Sequence, residues 1–246
     1  MNTPLIQSDF NFETGTNMVQ NQPDGNDPER VQRKGYPGLF IVLEGIDGAG
    51  KTTLAERLSQ RLHELGQDTL LTFEPTQGRW GKRLRESFTG TRLSPEEELN
   101  LFLLDRQEHL DKEIIPALQQ GNVVLCDRYY YSTAAYQGAI GLDPDKIMKQ
   151  NRKIAVRPDI VIFLQIDPEQ ALKRIIKGRK KANSFEKLDY LQRVAELYER
   201  ILHEEENSGR NGARIIRIDA SLPQEEILSM ALKTILCHLN TARHQS

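Results

Sequence analysis

The sequence predicts an α/β domain built on a five-stranded parallel sheet with helices on both faces. Strand and helix signals alternate from Gly38 onwards, and each strand signal is a continuous apolar run, as expected of strands that are covered on both faces. A glycine-rich loop also joins the first strand directly to a helix. The predicted strands cover residues 39–43, 69–73, 122–126, 159–166 and 213–218.

Helix signals lie between these strands. Residues 94–97 read SPEE, which is a capping box with proline at the first helical position, and residues 167–170 read DPEQ, which opens another helix. Gly66 is placed to end the first helix. That helix has three leucines on one face, Leu54, Leu58 and Leu62. Ligands of such sheets bind at the carboxyl ends of the strands, so functional residues are expected there.

Composition excludes several classes of protein. The 246 residues are 38% hydrophobic and carry a net charge of -2, which suits one globular domain and argues against general nucleic-acid binding. Apolar runs such as Leu39 to Leu43 are far too short to cross a membrane. Cys126 and Cys237 are predicted to be buried thiols in a reducing compartment, so a cytoplasmic location is expected.

Residues 1–37 differ from the remainder of the chain. They are rich in Asn and Gln, and residues 1–29 contain acids but no Lys or Arg, a pattern that fits neither a signal peptide nor a transit peptide. The sequence therefore predicts a disordered N-terminal tail followed by a single domain over residues 38–246.

The loop after the first strand matches the phosphate-binding pattern G-x-x-x-x-G-K-[ST]. Its position between a strand and a helix directs backbone N–H groups and the helix dipole at phosphate oxygens. We expect Lys51 to reach the β- and γ-phosphates and Thr52 to hold Mg²⁺. The predicted nucleotide-contacting residues are Gly45, Ile46, Asp47, Gly48, Ala49, Gly50, Lys51, Thr52 and Thr53.

Two charged residues follow the third strand. Asp127 ends the apolar run VVLCD, which is the expected position of a carboxylate near the metal, although an aspartate there could also cap a turn. Arg128 comes next and suits bidentate phosphate binding. Asp47 lies within the phosphate loop itself, where a carboxylate beside a polyanion is unfavourable, so it is expected to have another partner.

Two later segments offer groups for a second ligand. Phe102 and Arg106 are four residues apart and share a helical face, a pair that suits a nucleobase, although the spacing alone also fits a core ring and a surface charge. If a helix starts near Ser132, Thr133, Tyr136 and Gln137 share a face that could read a base and crowd a sugar. The alternative is that the tyrosines of this segment only pack in the core.

Taken together, these motifs resemble the thymidylate kinase family, P-loop enzymes that phosphorylate dTMP to dTDP with ATP. The resemblance covers about residues 39–239. It rests on seven segments in order: FIVLEGIDGAGKTT, EPT, LFLLDR, DRYYYSTAAYQG, RPDIVIFLQIDPEQALKR, FEKLDYLQRVAELY and IDAS.

The resemblance implies a place for each candidate residue. Asp47 would bond the 3′-hydroxyl of the acceptor sugar and help to place its phosphate, and Arg128 would grip that phosphate. Phe102 would stack on thymine and Arg106 would bond its carbonyl oxygen. Tyr136 would press against the 2′ carbon and disfavour ribonucleotides. Thr133 and Gln137 would lie along the base, and Glu74 would lie near the metal and phosphates. The resemblance also implies ATP and Mg²⁺ as cofactors and a homodimer.

A mobile lid is implied over about residues 177–187, where glycine and serine flank a basic cluster. Some family members carry a catalytic arginine at the loop position that Gly48 occupies here, so the resemblance places this charge in the lid, with Arg174 and Arg179 as candidates. A solvated basic face is the alternative. The predicted catalytic residues are Asp47, Lys51, Arg128, Arg174 and Arg179.

The chain also departs from the family pattern. Phe73 stands where the family has an arginine on the acceptor phosphate, which Arg79 or Arg128 could replace, and residues 183–184 lack the usual D-R of the lid. These departures leave open a related kinase that acts on another nucleotide or on a deoxynucleoside. A GTP-dependent switch is disfavoured because no N-K-x-D guanine motif occurs in the sequence.

Overall fold

The computed structural model describes residues 35–178, 184–208 and 212–243. Most of the predicted tail over residues 1–37 lies outside the described residues, as does the centre of the predicted lid, including Arg179. The lid therefore remains a prediction.

Five parallel strands form one sheet in the order β2-β3-β1-β4-β5. The predicted strands are confirmed, and their ends agree with the observed ones to within one residue. The strands are β1 (Leu39–Glu44), β2 (Thr69–Phe73), β3 (Val123–Asp127), β4 (Ile160–Gln165) and β5 (Arg214–Asp219).

Helices connect the strands, and a π-helical turn at Leu110–Ile114 separates the third helix from the fourth. The helices of the described residues are α1 (Lys51–Glu64), α2 (Arg79–Thr89), α3 (Pro95–His109), α4 (Ile115–Gln119), α5 (Tyr130–Ala139), α6 (Pro144–Ile154), α7 (Pro168–Gly178), α8 (Ser184–Asn207) and α9 (Gln224–Arg243).

Each face of the sheet is covered by its own apolar core because alternate strand residues point to opposite faces. Leu39, Ile41 and Leu43 pack with α1 and α9, whereas Phe40 and Val42 pack with α5, α6 and α8. A doubly covered parallel sheet is the arrangement that the continuous apolar runs predicted.

The predicted signals at two helix ends are confirmed. The Ser94 hydroxyl accepts from the Glu97 N–H, and the Glu97 carboxylate accepts from the Ser94 N–H, which completes the capping box that starts α3. Gly66 follows α1 with a φ of 74°, a left-handed conformation that glycine adopts without steric cost.

Two expectations are corrected. Helix α5 begins at Tyr130 rather than near Ser132. The Glu44 carboxylate accepts from the N–H of Tyr129, and this hydrogen bond holds the residue directly before the helix. Cys126 is buried as predicted, but Cys237 is exposed, because the apolar face of α9 is turned to the sheet and Cys237 lies on another face. Among the described helices, none combines the length and apolarity needed to cross a membrane.

Candidate active site

Lys51 begins α1 directly after the glycine-rich loop and is almost fully buried. Its Nζ donates to the Ile46 carbonyl oxygen at 2.9 Å. Burial, together with the positive charge of Arg128, lowers the pKa of Lys51 to about 7, against the opposing effect of the nearby carboxylates. The ammonium group is therefore poorly stabilised by the protein alone and is ready to bind an anion.

Gly48 occupies a position in the loop that no other residue type fits. Its φ is 83°, and an added Cβ would lie 2.5 Å from the carbonyl oxygen of Ala171 in α7. An arginine at this position would collide with the backbone of that helix. The loop of this chain can therefore not supply a cation at this position.

Thr52 and Asp127 face each other across the loop. The Thr52 hydroxyl donates to one Asp127 carboxylate oxygen at 2.5 Å, and the other oxygen is buried with no partner among the described residues. An unpaired carboxylate oxygen beside a hydroxyl oxygen is a donor set that suits Mg²⁺. No group of three or more His, Cys, Asp or Glu side chains in the described part could hold a metal, so a cation here would depend on oxygens from a bound phosphate.

Arg128 and Tyr136 are the partners of Asp47. The Arg128 guanidinium forms an ion pair with the Asp47 carboxylate, and the Tyr136 hydroxyl accepts from the Asp47 N–H at 2.8 Å. The guanidinium also lies 5.0 Å from the centre of the Tyr136 ring. The structure thus joins the phosphate loop to α5 through one charged pair and one ring.

Arg128 adopts a φ of 73°, which is uncommon for a residue other than glycine. Buried Glu44, the last residue of β1, holds the chain after this turn: one of its oxygens accepts from the Tyr129 N–H at 2.9 Å. Its other oxygen accepts from the hydroxyls of Ser132 at 2.6 Å and Tyr198 at 2.9 Å. Burial raises the pKa of Glu44 despite these hydrogen bonds. We infer that Glu44 directs Arg128 into the cleft.

Arg106 is fully buried in a second polar group. Its Nε donates to Glu74 at 3.0 Å, and its terminal nitrogens donate to Glu74, Thr133 and Asn151. Its guanidinium also lies 4.9 Å from the centre of the Tyr129 ring. A guanidinium has five N–H donors, and these contacts use four of them. One donor, on Nη1, is left for a ligand.

Contacts from α3 hold Glu74 in place. Burial disfavours its charge, yet Arg106 and His109 keep the pKa of the Glu74 carboxyl below its usual value. His109 contacts Glu74 at 3.1 Å and the Thr72 hydroxyl at 2.7 Å. Asp105, in the same helix, accepts from both the N–H and the hydroxyl of Thr76. These contacts fix the segment Glu74–Thr76 against α3.

The other predicted base-contacting residues lie on α3 and α5. Phe102 is partly buried, and its ring centre lies 6.4 Å from that of Phe88. Thr133 and Gln137 are buried, and the Gln137 amide donates to Glu98 at 3.3 Å. Arg106 is fully buried and donates to Thr133 of α5, so the alternative in which Arg106 is a surface charge is wrong.

Arg174 lies in α7 and shares a cleft with the phosphate loop. Its guanidinium donates to the Ala220 carbonyl oxygen at 2.9 Å. It lines a cleft of about 290 Å³ that is also lined by Gly48, Ala49 and Gly50 of the loop and by Thr53 at the start of α1. Arg174 is therefore placed beside the phosphate loop, away from the group around Arg106.

The residues proposed to compensate for Phe73 are differently placed. Phe73 is 42% exposed. Arg79 lies 3.5 Å from Glu108 and stacks over Trp80, and neither partner is a predicted site residue. Arg128 is thus the arginine that the structure places beside Asp47.

Several residues of these groups were not predicted. Glu44 could have been noticed because it is the single acid in an otherwise apolar strand. The polar residues of α3 carried a weaker signal, since four-residue spacing does not show which helix they face. The residues missed are Glu44, Glu98, Asp105, His109, Ser132, Asn151 and Tyr198.

Comparisons with known proteins show which family the chain resembles. Residues 43–231 match the family model for thymidylate kinase. The chain is 42% identical over 208 residues to a probable thymidylate kinase of Archaeoglobus fulgidus, covering 85% of this chain and 100% of the relative. It is 40% identical over 198 residues to a thymidylate kinase of Brachyspira hyodysenteriae, covering 80% and 93%. It is also 44% identical over 164 residues to a thymidylate kinase of Desulfotalea psychrophila, covering 66% and 81%.

Proposed function

This chain belongs to the thymidylate kinase family, and from that premise we propose that its cleft holds ATP and dTMP end to end over the phosphate loop. Membership makes the chain a phosphotransferase that converts dTMP to dTDP, and an acceptor other than dTMP is not favoured. The observation that carries the arrangement is the contact of Asp47 with Arg128 and Tyr136. Asp47 belongs to the loop that suits a donor, and Tyr136 lies in α5, which also contributes Thr133 to the buried group around Arg106.

On the donor side, the loop N–H groups and Lys51 would bind the β- and γ-phosphates of ATP. Thr52 and Asp127 would hold Mg²⁺, which neutralises charge on those phosphates. The support is the partnerless oxygen of Asp127 and the lowered pKa of Lys51. Both groups gain a partner when a magnesium nucleotide binds.

The adenine of ATP would lie in the cleft of about 290 Å³ beside Arg174. Ala220, from the IDAS segment, lines this cleft together with the loop and α9. A larger cleft of about 400 Å³ contacts Asp219 and Ser221 of the same segment. The smaller cleft is favoured because it contacts three loop residues, Gly48, Ala49 and Gly50, and Thr53 at the start of α1.

On the acceptor side, Arg128 would bind the phosphate of dTMP while Asp47 bonds the 3′-hydroxyl. Phe102 would stack on thymine, and the free donor of Arg106 would bond a base carbonyl, with Thr133 and Gln137 along the base edge. Glu74 would act by holding Arg106, since both of its oxygens are engaged by α3. This refines the expectation that Glu74 lies near the metal.

The reaction is one in-line displacement. An oxygen of the dTMP phosphate attacks the γ-phosphorus, the bond to the bridging oxygen breaks, and ADP leaves. Because the protein forms no covalent bond, its residues contribute position and charge. The clash that excludes arginine at Gly48 supports Arg174 or Arg179 as the additional cation.

A panel of acceptors tests this function. The full-length protein is incubated with ATP, Mg²⁺ and each nucleoside monophosphate in turn, with thymidine as a further acceptor. Formation of dTDP from dTMP with the highest kcat/KM is expected. A preference for thymidine, or for another monophosphate, would contradict the proposal.

Replacing Tyr136 by alanine should weaken discrimination against ribose. The ring is held by Arg128 and packs edge-on against Tyr190 and Tyr198, with centroids 6.1 and 6.3 Å away, so it cannot yield to a 2′-hydroxyl. We expect the ratio of kcat/KM for dTMP over its ribose analogue to fall about tenfold or more. Tyr136→Phe, which keeps the ring, should preserve the ratio; an unchanged ratio in Tyr136→Ala would refute the steric role.

Binding of ATP is expected to weaken as pH rises above about 7, the pKa of Lys51 in the free protein. Bound phosphates favour the charged ammonium, so above this pH the binding of each ATP is accompanied by protonation of Lys51. The association constant for ATP therefore falls by up to about tenfold per pH unit. Below it, Lys51 is already charged and the dependence fades.

Titration calorimetry in buffers of different ionisation enthalpy, from about pH 7.5 to about 9, measures this proton uptake. Lys51→Met should show no comparable uptake. Equal proton uptake by the variant and the wild type would exclude Lys51 as the titrating group.

Two further expectations remain proposals. Exposed Leu71 and Phe73 on edge strand β2 and Leu104 on α3 would offer apolar surface to a second copy, as a homodimer requires, and light scattering would measure the mass.

Both cysteines are unpaired, which fits the reducing environment of the cytoplasm.

A further inference from the structure

Glu98 is a fully buried carboxylate at which four segments of the chain meet. One oxygen accepts from the Ser87 hydroxyl at 2.9 Å and from Arg92 Nε at 3.0 Å. The other accepts from Arg92 Nη2 at 3.1 Å and from Gln137 Nε2 at 3.3 Å. A carboxylate offers about four acceptor positions, and all of them are engaged.

These contacts fix the direction of the Gln137 amide. A carboxylate paired with a guanidinium, as Glu98 is with Arg92, only accepts hydrogen bonds, so the NH₂ end of the amide must face Glu98. The carbonyl end, Oε1, is therefore turned away from Glu98. It is buried and has no hydrogen-bond partner among the described residues. A buried acceptor without a donor is unfavourable, and a ligand N–H would remove that cost.

Two contacts join α3 to α5, one on each side of Phe102 along α3. Glu98 contacts Gln137, and Arg106 contacts Thr133 at 3.1 Å. Residues four apart in a helix share a face, so Phe102 lies between Glu98 and Arg106 on the same face of α3. The free donor of Arg106 and the free acceptor of Gln137 thus belong to the two contacts that flank the residue proposed to stack on the base.

We propose that Glu98 is a positioning residue that sets the base specificity of the acceptor site by holding Gln137 Oε1 ready for a ring N–H. The proposal rests on the proposed function. Thymine carries a carbonyl oxygen next to a ring N–H, which matches a donor from Arg106 and an acceptor from Gln137. Cytosine carries an amino group next to an unprotonated ring nitrogen and presents the opposite pattern to both residues.

Substitution of Glu98 by glutamine tests this role. The new amide can donate as well as accept, so Gln137 is free to turn and present its NH₂ group to the base. We expect kcat/KM for dTMP to fall, kcat/KM for dCMP to rise, and their ratio to drop at least about tenfold. A role in stability alone would lower both values together and leave the ratio unchanged.

Glu205→Gln is the matched control. Glu205 in α8 is also a buried carboxylate paired with a half-exposed arginine, Arg152, at 2.8 Å, and it contacts none of the proposed substrate-binding residues. The same chemical change there should leave the ratio of dTMP to dCMP at its wild-type value. A ratio that falls equally in both variants would overturn the assignment to Glu98.

Gln137→Met provides a second test that does not depend on the stability of the Glu98 variant. Removal of the amide should lower the ratio of dTMP to dCMP, and adding Glu98→Gln in that background should not change it further. An unchanged ratio in Gln137→Met or in a folded Glu98→Gln variant would refute the inference. Failure of the wild type to phosphorylate dTMP would instead refute the proposed function.

Discussion

Replacement of Lys51 by methionine should lower kcat for dTDP formation by about 10³-fold or more while leaving the fold intact. The ammonium is placed to neutralise charge on the transferred phosphoryl group, and a preorganised charge in a buried site has effects of this size. Loop glycines and Thr52 remain in the variant, so nucleotide still binds, but the charge that develops during transfer is less well stabilised.

The stability of the Lys51→Met variant separates catalysis from folding. In the folded protein the pKa of Lys51 is lowered to about 7, so at neutral pH the unfolded chain holds this proton more tightly than the folded chain does. Lys51 therefore destabilises the fold there, and an apolar side chain of similar length should keep or raise the melting temperature.

Initial rates of dTDP formation and the melting temperature are measured on the same preparation. Lys112→Met is the control, because Lys112 is 69% exposed and its ion-pair partner among the described residues is Glu108, which has no predicted role in the site. It should leave kcat unchanged. A kcat for Lys51→Met within tenfold of the wild type, or a loss of activity that follows a loss of folded protein, would contradict the assigned role.

Local features of the fold could be predicted from the sequence because each depends on neighbouring residues. A continuous apolar run such as Leu39–Leu43 already requires cover on both faces, and the capping box at Ser94 is complete within four residues. The phosphate loop is similar, since its glycines, lysine and threonine lie within one turn of chain. These predictions agreed with the structure to within a residue or two.

Long-range partners could not be predicted in the same way. The spacing of Phe102 and Arg106 showed a shared face but not that Glu74 and Asn151, 32 and 45 residues away, would engage the guanidinium. The left-handed turn at Arg128 was equally hidden, because a positive φ is usually a glycine signal and the hydrogen bond next to this turn comes from Glu44, which is distant in sequence. Tertiary contacts decided these features.

Replacement of Arg128 by glycine should lower kcat/KM for dTMP by about 10³-fold with little change in the affinity for ATP. Arg128 is the arginine beside Asp47, where the γ-phosphate of ATP and the phosphate of dTMP would meet, and position 73 is a phenylalanine that cannot add a second cation. A lone bidentate cation at the acceptor phosphate both positions the nucleophile and neutralises its charge.

Glycine is the informative substitution because Arg128 has a φ of 73°. Glycine adopts this conformation freely, so the turn is kept while the guanidinium is removed, and the released Asp47 carboxylate is 55% exposed and regains water. Arg128→Lys keeps the charge without the planar fork and should fall between glycine and the wild type. Kinetics with varied dTMP, titration with ATP and thermal unfolding give the three readouts. A KM for dTMP and a kcat both close to the wild type in Arg128→Gly would show that another cation holds the acceptor phosphate, and the cleft would then have to be reassigned around Arg174.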